Sequence, residues 1–256
     1  MDIKIVIATH KKYDMPSDNC YLPIHVGSVG KTNLGYTRDD AGENISDKNP
    51  YYCELTGLYW AWKNLDADYI GLAHYRRHFS YKKKGDKWER ILTDTELKRL
   101  LSDTDVILPK KRKYYIETMQ SHYAHTFDPK HLDMTRDIIA DNSPEYLASF
   151  DKVLNRRSAH MFNMFVMKKK YADAYCQWLF STLEELEKCI DLSSMTAFEA
   201  RLFGRISEML LDVWIDKNGV RYIEVGYIQM ESVNWVKKGS TFFMAKFGNK
   251  KYERSF

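Results

Sequence analysis

The chain has 256 residues, 44% of them hydrophobic and 29% charged, with a formal net charge of +4. That length allows one well-buried core, and the composition is that of an ordinary globular protein rather than a disordered or low-complexity one. The charge excess is too small to imply a nucleic-acid surface, and no stretch approaches the roughly 18–20 apolar residues of a membrane span.

Residues 4–8 form a short β-branched run that predicts a buried first strand, with Thr9, His10 and Lys11 at its carboxyl end. The run lacks the basic start and small-residue cleavage site of an export signal. Cys20, Cys53, Cys176 and Cys189 form no CxxC pair, so reduced thiols in the cytoplasm are expected. Residues 13–48 are polar and read mostly as loop, with a short strand near His25-Val26-Gly27. Asn49-Pro50 supplies an N-cap and a first-turn proline, and Tyr51, Leu55, Leu58, Tyr59 and Trp62 then recur at helical spacing to about Asn64. Residues 69–74 are the second strand. Thr93-Asp94-Thr95-Glu96 matches a capping box before a short helix to about Ser102, and residues 105–109 form a third strand stopped by proline. Helices are predicted over roughly 115–125, 131–142 and 144–154. A continuous apolar strand follows over 160–167, with Asn163 inside it. Long helices over about 169–188 and 195–216 precede a last strand over 221–227. This order predicts an α/β sheet with helices on both faces, as one domain over 1–236 with a helical insertion at 112–157, and a basic, aromatic tail over 237–256.

Open α/β sheets bind ligands beyond the carboxyl ends of their strands. Three predicted strands end in Thr9-His10-Lys11, His74-Tyr75-Arg76-Arg77 and Lys110-Lys111-Arg112, and their convergence would make a cationic crevice suited to a diphosphate. Arginine offers planar, permanently charged donors for phosphate, so Arg76 and Arg77 are the foremost candidates, while Lys110–Arg112 reads more simply as a solvated loop. Asp66-Ala67-Asp68 looks like the metal-binding Asp-x-Asp of many sugar transferases, but it precedes its strand and so belongs to the opposite edge of the sheet. His74-x-Arg76 stands where a metal-binding pair is wanted, which predicts chemistry without a divalent metal. His10, His74 and His78 match no standard zinc spacing. Arg201, Arg205 and Glu208 share a helix face, either as a surface ion-pair ladder or as part of a site. Glu199, Glu208 and Glu54 are the candidate general bases. Asn163 needs partners if buried, as a structural cap or as a ligand contact.

The blocks Lys48-Asn49-Pro50, Tyr52-Cys53-Glu54-Leu55-Thr56, Leu58-Tyr59-Trp60-Ala61-Trp62-Lys63-Asn64, His74-Tyr75-Arg76-Arg77 and Asn163-Met164-Phe165-Val166-Met167 resemble the uncharacterised-domain family found in bacterial capsular, exopolysaccharide and O-antigen gene clusters. The resemblance implies an A-type glycosyltransferase-like α/β fold, a single Rossmann-like mixed sheet merged with an acceptor half. It places Thr9, His10 and Lys11 where such folds hold a uridine nucleotide. His74, Tyr75, Arg76 and Arg77 then replace the Asp-x-Asp, and Phe162-Asn163-Met164 lines the sugars. The implied activity is transfer of galactofuranose or galactose from a UDP-sugar to an oligosaccharide or lipid-linked acceptor. No metal cofactor and no nucleic-acid partner are expected. The alternative is a non-catalytic carbohydrate- or nucleotide-binding module. The tail predicts weak attachment to the anionic inner face of the cell membrane, or else a frayed terminus.

Overall fold

The computed structural model describes residues 1–81 and 84–231. Its strands are β1 (Ile3–Thr9), β2 (Tyr21–His25), β3 (Thr37–Arg38), β4 (Tyr69–His74), β5 (Arg77–Ser80), β6 (Val106–Pro109), β7 (Arg112–Lys113), β8 (Ser158–Ala159), β9 (Phe165–Lys168) and β10 (Ile223–Gln229). The helices are α1 (Asn49–Tyr52), α2 (Leu55–Asn64), α3 (Asp94–Leu100), α4 (Met119–Ala124), α5 (Lys130–Asn142), α6 (Leu147–Leu154), α7 (Lys169–Lys188) and α8 (Leu202–Asn218). Among the described residues no helix is long and apolar enough to cross a membrane. The tail expected to contact one lies outside the described residues.

Eight strands form one mixed sheet in the order β3-β2-β1-β4-β5-β10-β6-β9, and β9 pairs back onto β4, so this half of the sheet curls on itself. β1 is parallel to both β2 and β4. Alternation along β1 assigns the two faces. Val6 and Ala8 pack with Leu55 and Leu58 of α2 and with apolar residues of α5 to α8, whereas Ile3, Ile5 and Ile7 pack with Leu97 of α3 and with Val225 and Ile228. Both faces are therefore covered, as the order of elements predicts. The mixed sheet flanked by helices agrees with the α/β architecture expected from the resemblance.

The register brings strand tips together. Ala8 of β1 stands opposite His74 of β4, and the Tyr75 amide donates to the Ala8 carbonyl at 3.3 Å. β4 then reverses within two residues, because His74 pairs with Arg77 of β5, and Arg76 is left at the turn. Gly71 makes the crossing of β9 possible: a Cβ there would lie 2.9 Å from the Phe165 carbonyl oxygen and 3.0 Å from Ile5. The Thr93 capping box forms as predicted and starts α3.

Five expectations are corrected. The helix predicted over 51–64 is broken between α1 and α2, the strand predicted over 160–167 is a turn followed by β9, and the helix predicted from 195 begins only at Leu202. The region read as loop over 13–48 holds β2 and β3, and Arg112 belongs to a small second sheet in which it pairs with Ala159.

Candidate functional site

The two breaks in regular structure build the site. Cys53 sits at φ 53° and ψ −128°, and the following residue, Glu54, leads into α2. Phe162 (φ 77°) and Asn163 (φ 54°) form the turn before β9. Non-glycine residues in such conformations cost on the order of 1–3 kcal/mol each and persist only where contacts hold them. Here the contacts are specific. The Asn163 amide Nδ2 donates to Glu54 Oε1 at 2.8 Å and to the Gly204 carbonyl at 3.1 Å, while Ser207 Oγ donates to Asn163 Oδ1 at 2.9 Å. His74 Nε2 donates to the Phe162 carbonyl at 2.6 Å, and the same nitrogen is 3.7 Å from Glu54 Oε1. Arg201 Nε donates to Cys53 Sγ at 3.3 Å. Gly204 lets α8 approach: a Cβ there would meet Cys53 Cβ at 3.3 Å.

These groups border a cleft of about 320 Å³. Arg76 and Arg77 enter it from the β4–β5 turn, Arg112 and Lys113 from β7, and Arg201 and Arg205 from the start of α8. Glu54 and Glu208 are its acidic residues, and Tyr114, Tyr123, Phe127, Phe162 and Phe198 supply aromatic walls. Arg77 lies over the Phe162 ring at 4.3 Å, and among the described residues its buried Nε has no hydrogen-bond partner. Burial first, then neighbouring Arg76, lowers the pKa of Arg77, so an anion brought to this guanidinium would offset an unfavourable charge.

The two carboxylates differ. Burial, with Glu54 adding to it, holds the Glu208 carboxyl above the usual range despite Arg205 Nη1 at 3.3 Å. Burial pushes Glu54 the same way, but His74, the Asn163 amide and Arg205 outweigh it and keep this carboxyl below the usual range. Burial, reinforced by Arg77 and Arg76 against the attraction of Glu54, keeps the His74 imidazole below its ordinary range. One ionised carboxylate and one carboxyl with a raised pKa therefore share the cleft.

The residues singled out in the sequence divide between the cleft and its surroundings. His74, Arg76, Arg77, Glu54 and Glu208 line it, Asn163 supports it from beneath, and Tyr75 is buried behind Arg76, whose guanidinium lies 5.2 Å from the Tyr75 ring. Thr9 is buried and donates to the Lys11 carbonyl at 2.7 Å. His10 packs edge-on against Tyr75 at 5.5 Å, and Lys11 Nζ is 5.0 Å from the same ring. These three do not line the cleft; Glu231 reaches both Lys11, at 3.5 Å, and Arg76, at 3.6 Å. Glu199 does not line the cleft, and its Oε2 accepts from the Thr196 amide and hydroxyl at 3.0 and 2.8 Å. His78 is buried beside Tyr21 and Trp88, its pKa pushed down to about 4 by burial. Sequence reasoning missed Tyr114, His122 and Tyr123 and read Arg112 as loop; the one signal was the basic run ahead of two tyrosines.

At the tip of β4, His74-x-Arg76 itself carries no carboxylate oxygen; the carboxylates that share its cleft are Glu54 and Glu208, among guanidiniums. Asp68 is at the other end of β4, where it accepts from the Asp2 amide at 2.7 Å.

Fold and cleft together define a mixed α/β domain with a cleft lined by arginines beyond the carboxyl ends of its parallel strands. The chain belongs to the family described as Domain of unknown function (DUF4422), which matches it over residues 4–219. It is also similar to a solved structure described as WbbM bifunctional glycosyltransferase in its apo form. The two share 30% identity and a TM-score of 0.85, over 91% of this chain and 46% of that one. The chain thus spans about half the length of the structure it matches. No curated protein matches it.

Proposed function

We propose that the protein is a glycosyltransferase of polysaccharide biosynthesis that moves a hexosyl unit, galactose or galactofuranose, from a UDP-sugar to an oligosaccharide or lipid-linked acceptor without a divalent metal. The observation that carries this reading is the concentration of guanidiniums around one cleft that also holds a fixed, ionised carboxylate. Arg76 and Arg77 take the diphosphate and offset the charge that grows on it as the anomeric C–O bond breaks. Glu54, held by Asn163, faces the positive charge that develops on the donor sugar. Glu208 hydrogen-bonds a sugar hydroxyl, and the aromatic walls cover sugar faces. The likeness to a chain described as a bifunctional glycosyltransferase supports the reaction class. Because about half of that chain is matched, no second activity is carried over. Work at the inner face of the cell membrane belongs to the same proposal.

The test is incubation of the purified protein with a panel of UDP-sugars, with and without EDTA, followed by calorimetry with UDP. Transfer or donor hydrolysis that survives chelation is expected. Absence of binding and turnover with every nucleotide sugar would overturn the reading, and activity abolished by EDTA would remove its metal-free part.

A further inference from the structure

A second polar cluster lies on the helical side of the cleft. Glu117 is 3% exposed, a depth at which a carboxylate requires partners. Its Oε2 is 3.0 Å from Nδ1 of His122 in a hydrogen bond, and its Oε1 is 3.0 Å from Nδ1 of His125 in a close contact without hydrogen-bond alignment. Thr118 and Ser121 cap α4 reciprocally, which fixes the turn that carries His122. His122 lines the cleft and His125 does not. The Tyr114 ring, 4.2 Å from the His122 ring, restricts its rotation. With Nδ1–H committed to Glu117, the imidazole is the tautomer whose Nε2 holds a lone pair, and among the described residues Nε2 makes no hydrogen bond.

We propose that His122, oriented by Glu117, accepts the proton of the acceptor hydroxyl that attacks the donor sugar. This inference rests on the transfer reading above and names the acceptor side of the same site. The hydroxyl oxygen bonds to the anomeric carbon while its proton passes to Nε2. The anomeric C–O bond to the diphosphate breaks, its electron pair leaves with the diphosphate, and the proton later passes to solvent. Glu117 is a positioning residue in the sense of the carboxylate that sets the tautomer of a basic histidine. The groups acting on His122 are Arg112, Glu117 and His125, with the Tyr114 ring against it, and Arg205 and Glu208 line the same cleft. Burial first, then Arg112 and His125, outweighs the pull of Glu117, so the imidazole is the free base at neutral pH.

The experiment uses the full chain, the UDP-hexose that wild type turns over, and p-nitrophenyl glycosides as acceptors. H122N is expected to lower kcat by about 10²–10³-fold with UDP affinity unchanged, as removal of a general base does. The acid limb of the wild-type kcat/KM profile should disappear in H122N, and imidazole in solution should restore part of the activity of H122A. In E117Q the acid limb should move to lower pH, because an anion that favours imidazolium is gone. Wild-type turnover with H122N equally active, or with the acid limb intact in H122N, would overturn the proton-acceptor role alone. An acid limb unmoved in E117Q would overturn the positioning role. A wild type that neither binds UDP nor transfers any sugar would instead overturn the transferase reading itself.

Discussion

The two ends of the same sheet treat charge in opposite ways. At the amino end of β4, Asp68 accepts from the Asp2 amide at 2.7 Å, and Asp105 meets Lys168 at 3.2 Å and Lys170 at 3.6 Å. These exposed contacts neutralise charge locally, and solvent screening leaves them little weight in stability. At the carboxyl end, Arg76, Arg77, Arg112, Lys113, Arg201 and Arg205 share a cleft with Glu54 and Glu208, so among the described residues that line it basic groups outnumber acidic ones six to two. Partly buried like charges repel more strongly than exposed ones, because water screens them less. In the proposed reading, the diphosphate of the donor is the anion that Arg76 and Arg77 take.

Substitutions at four positions would either erase this contrast or define it further. The largest effect is expected from R77A, which should lower transfer by about 10²–10³-fold, the cost of removing one preorganised electrostatic contact. R77K should recover only part of it, since an ammonium lacks the bidentate fork. Unchanged turnover in R77A would leave the cleft no different in kind from the amino end. Next, Gly71→Ala should destabilise the fold by about 1–3 kcal/mol in urea denaturation, because the added methyl meets the Phe165 carbonyl at 2.9 Å and Ile5 at 3.0 Å. A smaller loss would mean that β9 can move away and that the frame of the cleft is less rigid than its register suggests.

Asn163→Gly keeps the positive φ but deletes the amide that holds Glu54. Transfer should fall about tenfold while UDP affinity holds, in line with the loss of about one hydrogen bond to a charged group. The smallest effect is expected away from the cleft. Lys152, Ser149 and Arg156 overcome the burial of Asp216 and bring its pKa down to about 2. A depressed carboxyl stabilises the fold above its unfolded pKa near 4, and that contribution is lost as pH falls towards 2. D216N should therefore lower stability by on the order of 1 kcal/mol above pH 4, with the difference from wild type shrinking below it. A gap that did not narrow in acid would show that Asp216 acts through packing instead of charge.

Much of the framework is legible in the order of residues alone. The strands at 4–8, 69–74 and 105–109, the helix over 169–188 and the capping box at Thr93 depend on periodicity and cap chemistry, which are local, and the observed elements follow them closely. The arginines at the tip of β4 are legible too, because direction along a strand decides which end of the sheet a residue reaches.

The decisive turns are not legible in that way. Tyr51 to Asn64 is a good helical pattern, yet the chain breaks at Cys53; residues 160–167 are a good strand pattern, yet Phe162 and Asn163 turn left-handed. Each local preference is overridden by contacts from far along the chain: Asn163 reaches Glu54 across 109 residues, and Arg201 reaches Cys53 across 148. Local patterning thus dictates the layered α/β framework and the cationic strand tip. Which carboxylate enters the cleft, and how His122 joins it, follows from long-range packing, because the strained conformations that aim Glu54 and Asn163 are stable only once their distant partners are in place.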